Sequence, residues 1–245
     1  MNPQIGIENC LSFINCQLQP PHRAVLERHA LPSRRAITIS RQTGSGGHSV
    51  AQKLLELLHS HSVPGERPWT VFDRDLVQKA LEDHNLPKRL ARFMPEDRIL
   101  EISDTMDELF GLHPSSWTLV HKTADTILRL VELGQVIIIG RGANVITRKL
   151  DSVFHVRLVG SLERRVAYLQ ELNHSTRETA LELAQREDLG RARYLKKYLR
   201  EDIDNPLLYH LVINTDLVSH AEAARIIAEA VLSRRGDLHP ECASP

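Results

Sequence analysis

Three glycines fall within four residues at Gly44-Ser45-Gly46-Gly47. They lie between a β-rich stretch, Ala36-Ile37-Thr38-Ile39-Ser40, and a segment whose apolar residues Val50, Ala51, Leu54, Leu55, Leu57 and Leu58 recur at helical spacing. A strand, a glycine turn and an amphipathic helix in that order leave the chain few ways to fold. Residues without a Cβ let the backbone wrap closely enough for several N–H groups to converge on one point. The helix that follows adds its free N–H groups and the positive end of its dipole at the same place. A bare strand-to-helix turn would satisfy the pattern too, but the flanking elements favour a cradle for a polyphosphate. On that reading Gly44, Ser45, Gly46, Gly47 and His48 surround the donor phosphates, and Ser49 offers its hydroxyl to magnesium.

The turn departs from the pattern GxxxxGK[ST], because Gly47 stands where the lysine is expected. That lysine normally brings positive charge to the transferring phosphate. Arg41, at the end of the strand, and His48 are the nearby replacements. His48 reads equally well as a solvated loop histidine.

Further along, Trp69 to Phe72, Phe154 to Val159 and Leu211 to Asn214 read as strands, and Val136-Ile137-Ile138-Ile139 as a strand buried on both faces. Helices are expected over 118–133, 162–172, 176–199 and 220–232, the first capped by Ser116 and ended by Gly134. Strands alternating with helices predict an α/β fold, a five-stranded parallel sheet with helices on both faces. Residues 86–116 suggest a helical insertion. Residues 1–35, with their Pro20-Pro21 break, form a weakly patterned extension to a domain spanning 36–235, and 236–245 a disordered tail.

Ligands of open α/β sheets bind outside the carboxyl ends of the strands. Gly140-Arg141-Gly142 follows the buried strand, and its arginine can offer a bidentate fork to a phosphate or pair with a carboxylate to hold a loop. Arg186, Arg191 and Arg193, with Arg177, Lys196, Lys197 and Arg200 around them, form either a solvated helix face or a lid, about 174–204, that closes over a triphosphate. Asp73 either caps the helix after its strand or acts as a nucleophile-orienting or magnesium-linked carboxylate.

Composition narrows the class. A chain of 245 residues, 42% hydrophobic and 25% charged, suits one α/β domain. Zero net charge and 4% aromatic residues argue against a nucleic-acid partner. No apolar run approaches the roughly 20 residues of a membrane span, and the start lacks the pattern of a secretory signal, so the cytoplasm is the expected location. The three cysteines, Cys10, Cys16 and Cys242, show no metal spacing, and their odd number argues against a disulfide framework.

In their order, these motifs resemble the cytidylate-kinase-like family, a divergent branch of the P-loop nucleoside monophosphate kinases, over roughly residues 36–232. The resemblance rests on Ile39-Ser40-Arg41 followed by Gly44-Ser45-Gly46-Gly47, on Val71-Phe72-Asp73-Arg74-Asp75-Leu76, and on Val136 to Gly142. It extends to Arg186, Asp188, Arg191 and Arg193 as a lid helix and to Asn214-Thr215 at the last strand. It implies a P-loop NTPase fold with a helical lid, use of ATP and magnesium, and phosphoryl transfer to a nucleoside monophosphate, cytidylate-like, or a similar small acceptor. Arg41 and Arg141 would hold phosphates from two sides, with Asp73, Gly140 and Gly142 on the acceptor and Arg186, Arg191 and Arg193 in the lid. Gly142 stands where true cytidylate kinases carry aspartate, and His48 where the branch usually has arginine. With the lysine missing, the competing expectation is a catalytically silent nucleotide-binding module that senses or regulates.

Overall fold

A computed structural model describes residues 36–62, 68–73 and 116–233. Its centre is β1 (Ala36–Arg41), flanked by β3 (Val136–Ile139) and β4 (Val153–Val159), with β2 (Thr70–Phe72) outside β3 and β5 (Leu211–Asn214) outside β4. All four pairings are parallel, and Ile39 lies opposite Ile139 on one side and Val156 on the other. The five carboxyl ends therefore point the same way.

Alternation along each strand divides the core between the two faces of the sheet. Ile37, Ile39, Ile137, Ile139, Val156 and Leu158 pack with α1 (Gly47–Ser60) and the last helix, α6 (His220–Ser233). Val136, Ile138 and Val153 pack on the other face with Ile127, Leu130 and Val131 of α2 (Ser116–Leu133). Fully burying such a side chain contributes about 1.5–3 kcal/mol, so the central strands anchor whatever their ends carry.

A short α3 (Ala143–Ile146) follows β3, and α4 (Leu162–Asn173) follows β4. The expected lid is α5 (Arg177–Tyr194), continued by a π-helical turn over Leu195–Leu199. Ser161 and Thr176 cap α4 and α5 by accepting from the N–H groups of Arg164 and Thr179. Near its start α5 packs Ala180 and Ala184 on Val166 and Leu169 of α4. Beyond its end Leu195 packs with Val145 and Ile203.

Two expectations need correction. Ser116 opens α2 rather than standing outside it as a cap, and the helix expected over 176–199 gives up its regular period at Leu195, where the chain turns its side chain in toward Val145 and Ile203. The extension 1–35, nearly all of the insertion 86–116, and the tail 236–245 lie outside the described residues. Among the described residues no helix is long and apolar enough to cross a membrane.

Candidate phosphate-binding site

The glycine turn closes on itself. Ser45 donates its N–H and its hydroxyl to the carbonyl of Gln42, at 3.2 and 2.8 Å. Gly46 is the N-cap of α1 in a left-handed conformation, φ +77°; no side chain caps the helix and its first turn holds no acid. Neither the cap nor the first turn itself thus supplies an anion to those N–H groups and the dipole end.

Arg41 leaves the end of β1 and runs between two glycines. A Cβ on Gly47 would sit 3.0 Å from Arg41 Cγ, and one on Gly140 would collide with Arg41 Nη1. The stem of Arg41 therefore occupies the space in which a side chain at position 47, the lysine position, would begin. The guanidinium is held down to a pKa of about 10, by burial first and then by Arg191, with Arg141 adding repulsion while Asp73 and Glu187 partly offset it. Three guanidiniums thus share one electrostatic neighbourhood at the carboxyl ends of β1 and β3.

Arg141 sits at φ +59° between Gly140 at +81° and Gly142 at +68°. A non-glycine residue in the left-handed region is uncommon and costs on the order of 1 kcal/mol or more. The turn is also pressed from above, since a Cβ on Gly142 would collide with Leu199 of the π-helical turn. Arg141 acts on Tyr194 as well: burial raises that phenol, and the arginine partly offsets the rise.

A cavity of about 250 Å³ lies beside Arg41, lined also by Gln42, Arg157, Asp188, Arg191 and Asp204, with Leu189, Ala192 and Ile203 as its apolar wall. Of the three expected lid arginines, Arg191 lines it, whereas Arg186 and Arg193 are exposed and do not. Arg191 is three residues from Asp188 and shares its face of α5, while Arg186 and Arg193, two before and five after, fall on other faces.

The Ser49 hydroxyl bonds the Tyr168 hydroxyl of α4 at 2.8 Å. His48 instead meets Asp73 at the end of β2, Nε2 to Oδ2 3.1 Å. Among the described residues no group of three or more His, Cys, Asp or Glu is placed to hold a metal ion by itself. A nucleotide's magnesium needs only one or two protein carboxylates besides the phosphates, and Asp73 fits that requirement.

Sequence reasoning missed Thr43, Arg157, Arg165 and Asp204, and it gave Asp188 no role of its own. Arg157 is 4% exposed, donating from Nη1 to Ser40 at 2.9 Å and from Nη2 to Asp204 at 2.8 Å. An arginine between Val156 and Leu158, in a strand that is apolar apart from it and His155, was the available signal. Arg165 donates to the carbonyl oxygens of Gly160 and Thr43, at 2.9 and 2.8 Å.

The sequence pattern of the cytidylate kinase-like family matches residues 36–217. No curated protein matches the chain. A solved structure of an uncharacterized protein from Eubacterium ventriosum superposes with a TM-score of 0.62 at 21% identity, covering 82% of this chain and 99% of that one. A shikimate kinase from Bacteroides thetaiotaomicron gives 0.46 at 10% identity, covering 81% and 98%. A gluconokinase from Sinorhizobium meliloti gives 0.41 at 14% identity, covering 82% and 97%.

Proposed function

The chain belongs to the cytidylate kinase-like family, and from that premise we propose that it transfers the terminal phosphoryl group of ATP to a nucleoside monophosphate or a similar small acceptor. The observation that carries this reading is the convergence of Arg41, Arg141 and Arg191 beside an uncapped helix N-terminus. Phosphoryl transfer asks a protein mainly for positioning and for charge to neutralise the phosphates, and this arrangement offers both. The loop from Gly44 to His48 takes the donor phosphates. Arg41 takes the part of the missing lysine: its stem crosses the lysine position and its guanidinium ends beside the turn that carries Arg141. Arg141 takes the acceptor's phosphate, and α5 excludes water above the cavity. Asp73, oriented by its bond to His48, would hold the nucleotide's magnesium, and the ion would supply further neutralisation of the phosphate oxygens.

A coupled assay with ATP and magnesium, run against CMP, UMP, AMP and dCMP, tests the reaction. The expected result is turnover with one of them, and an Arg141→Lys variant that raises the acceptor's KM or lowers kcat while binding ATP nearly as before. Wild-type protein that binds ATP and phosphorylates none of the four would favour a nucleotide sensor or a different acceptor. A variant whose only defect is a lower Tm would make Arg141 a structural residue.

A further inference from the structure

The carboxylate of Asp188, in the middle of α5, ties three separate elements together. Its Oδ1 accepts from the N–H of Thr43 at 2.7 Å, from the hydroxyl of Thr43 at 2.8 Å and from Arg191 Nη1 at 2.9 Å. Its Oδ2 accepts from Arg165 Nη1 of α4 at 2.7 Å. The ring of contacts is closed by the Thr43 hydroxyl, which also accepts from Arg191 Nη1 at 2.6 Å, and by the Thr43 carbonyl, which accepts from Arg165. One acid thus fixes the entry to the glycine turn, the lid helix and the arginine that faces Arg41.

Apolar packing of α5 is concentrated at its two ends, at Ala180 and Ala184 toward the start and at Ala192 and Tyr194 against the cluster around Leu195, and no residue from Gln185 to Tyr194 is buried. Gly190, two residues past Asp188, has nothing within 4 Å of where a Cβ would stand, so no close approach requires a glycine there. A glycine inside a helix without a packing reason loosens it. The stretch combines a strong polar fastening with a weak helix, which suits a segment that releases and re-engages.

We propose that Asp188 is a positioning residue: it latches α5 onto the glycine turn at Thr43 and aims Arg191 at the terminal phosphate of the bound nucleotide. The latch is a property of the free protein; the aiming of Arg191 rests on the nucleotide-binding reading above. Charge-assisted hydrogen bonds of this kind are strong enough that losing the negative charge loosens both arginines, leaving Arg165 on the carbonyls of Gly160 and Thr43 and Arg191 on Thr43 and Glu187. A neutral amide at 188 accepts more weakly from the Thr43 N–H and gives up the charge that holds Arg165 and Arg191 to it.

The test uses the full chain, with Asp188→Asn as the main variant and Thr43→Val against Thr43→Ser as a second pair. Without nucleotide, hydrogen exchange at the Thr43 amide and at residues 186–192 is expected to quicken roughly tenfold or more in Asp188→Asn, with β1 and the start of α4 unchanged. Thr43→Val should do the same in part, and Thr43→Ser should not. With nucleotide, titration should show Asp188→Asn losing roughly tenfold in affinity for ATP while holding ADP as before. Unchanged exchange in Asp188→Asn would overturn the latch, and equal losses for ATP and ADP would overturn the aiming of Arg191. If the wild-type protein binds neither nucleotide, the nucleotide-binding reading and the aiming fall together, while the exchange data still decide the latch.

Discussion

Arg41 enters the fold charged although its surroundings resist the charge. Burial first, and then Arg191, lower its pKa to about 10, well below the ordinary value of a guanidinium. At neutral pH the residue is protonated both folded and unfolded, so the unfavourable environment weakens the fold throughout that range. The penalty is relieved only as pH rises through 10 toward the unfolded value. Converted through 1.36 kcal/mol per unit and discounted for solvent, it amounts to roughly 1–3 kcal/mol. Such a cost is intelligible where a polyanion restores the balance. Arg41→Met keeps the stem between Gly47 and Gly140 and removes the charge. Urea unfolding without nucleotide should therefore show the variant more stable by roughly 1–3 kcal/mol, and the stabilisation by ATP with magnesium should largely vanish. A variant that is less stable and still gains from ATP would contradict this account. The sequence made Arg41 a candidate because it ends a strand beside a loop lacking its lysine. It gave no sign that Gly47 and Gly140 make room for that side chain, because an approach of residues 99 apart in number appears only when β1 and β3 pair. Arg141 was legible for the same positional reason as Arg41, whereas the four bonds of Asp188 join distant segments and left no local pattern.

Elements were read best where periodicity had room to act. The apolar run of β3 and the helical spacing in α1, α4 and α6 are long or pure enough to announce themselves, and the structure follows them within a residue or two at most ends. The four residues of α3 are too few to show a period. The facing of α5 was illegible because only Ala180 and Ala184 are buried along it, and without an apolar stripe nothing distinguishes Arg191 from Arg186 and Arg193. The same helix yields a prediction at this scale. Gly190 meets open space and sits in regular helix, so Gly190→Ala should stabilise the chain by about 0.5–1 kcal/mol by restricting the unfolded backbone and improving helix propensity. Denaturation with and without ATP checks both halves of the idea. A stiffer α5 should exchange its amides more slowly, and a destabilised variant would mean that the helix needs its glycine for a reason other than looseness.

At the scale of the whole molecule, the face of the sheet toward α2 becomes polar at β1 and β4. Thr38, Ser40, His155 and Arg157 are all nearly inaccessible there, among strands that otherwise bury aliphatic side chains. His155 accepts from or donates to the Thr38 hydroxyl at 2.8 Å through Nδ1, and its backbone N–H donates to Nδ1 of His210 at 2.9 Å. Burial first, and the neighbouring His210 second, hold the His155 pKa down to about 4. The unfolded chain takes up a proton near pH 6.5, whereas the folded chain resists it until about pH 4, so falling pH favours unfolding across that interval. Stability from this residue is complete above pH 6.5 and declines as the pH falls, by about 2 kcal/mol at pH 5 and about 3 kcal/mol near pH 4. The chain holds 13 histidines, so the measurement must isolate one. His155→Leu gives up the bond to Thr38 and should be less stable at pH 7.5, but it has no proton to gain. Urea unfolding of both proteins at pH 7.5, 6 and 5 should show the gap between them narrowing by about 2 kcal/mol at the lowest pH. A gap constant with pH would mean that His155 is protonated in the fold as readily as outside it, and that the layer beneath β1 and β4 admits charge. The proposed site stands at the carboxyl end of β1, one of those strands, so a mildly acidic medium should loosen its foundation.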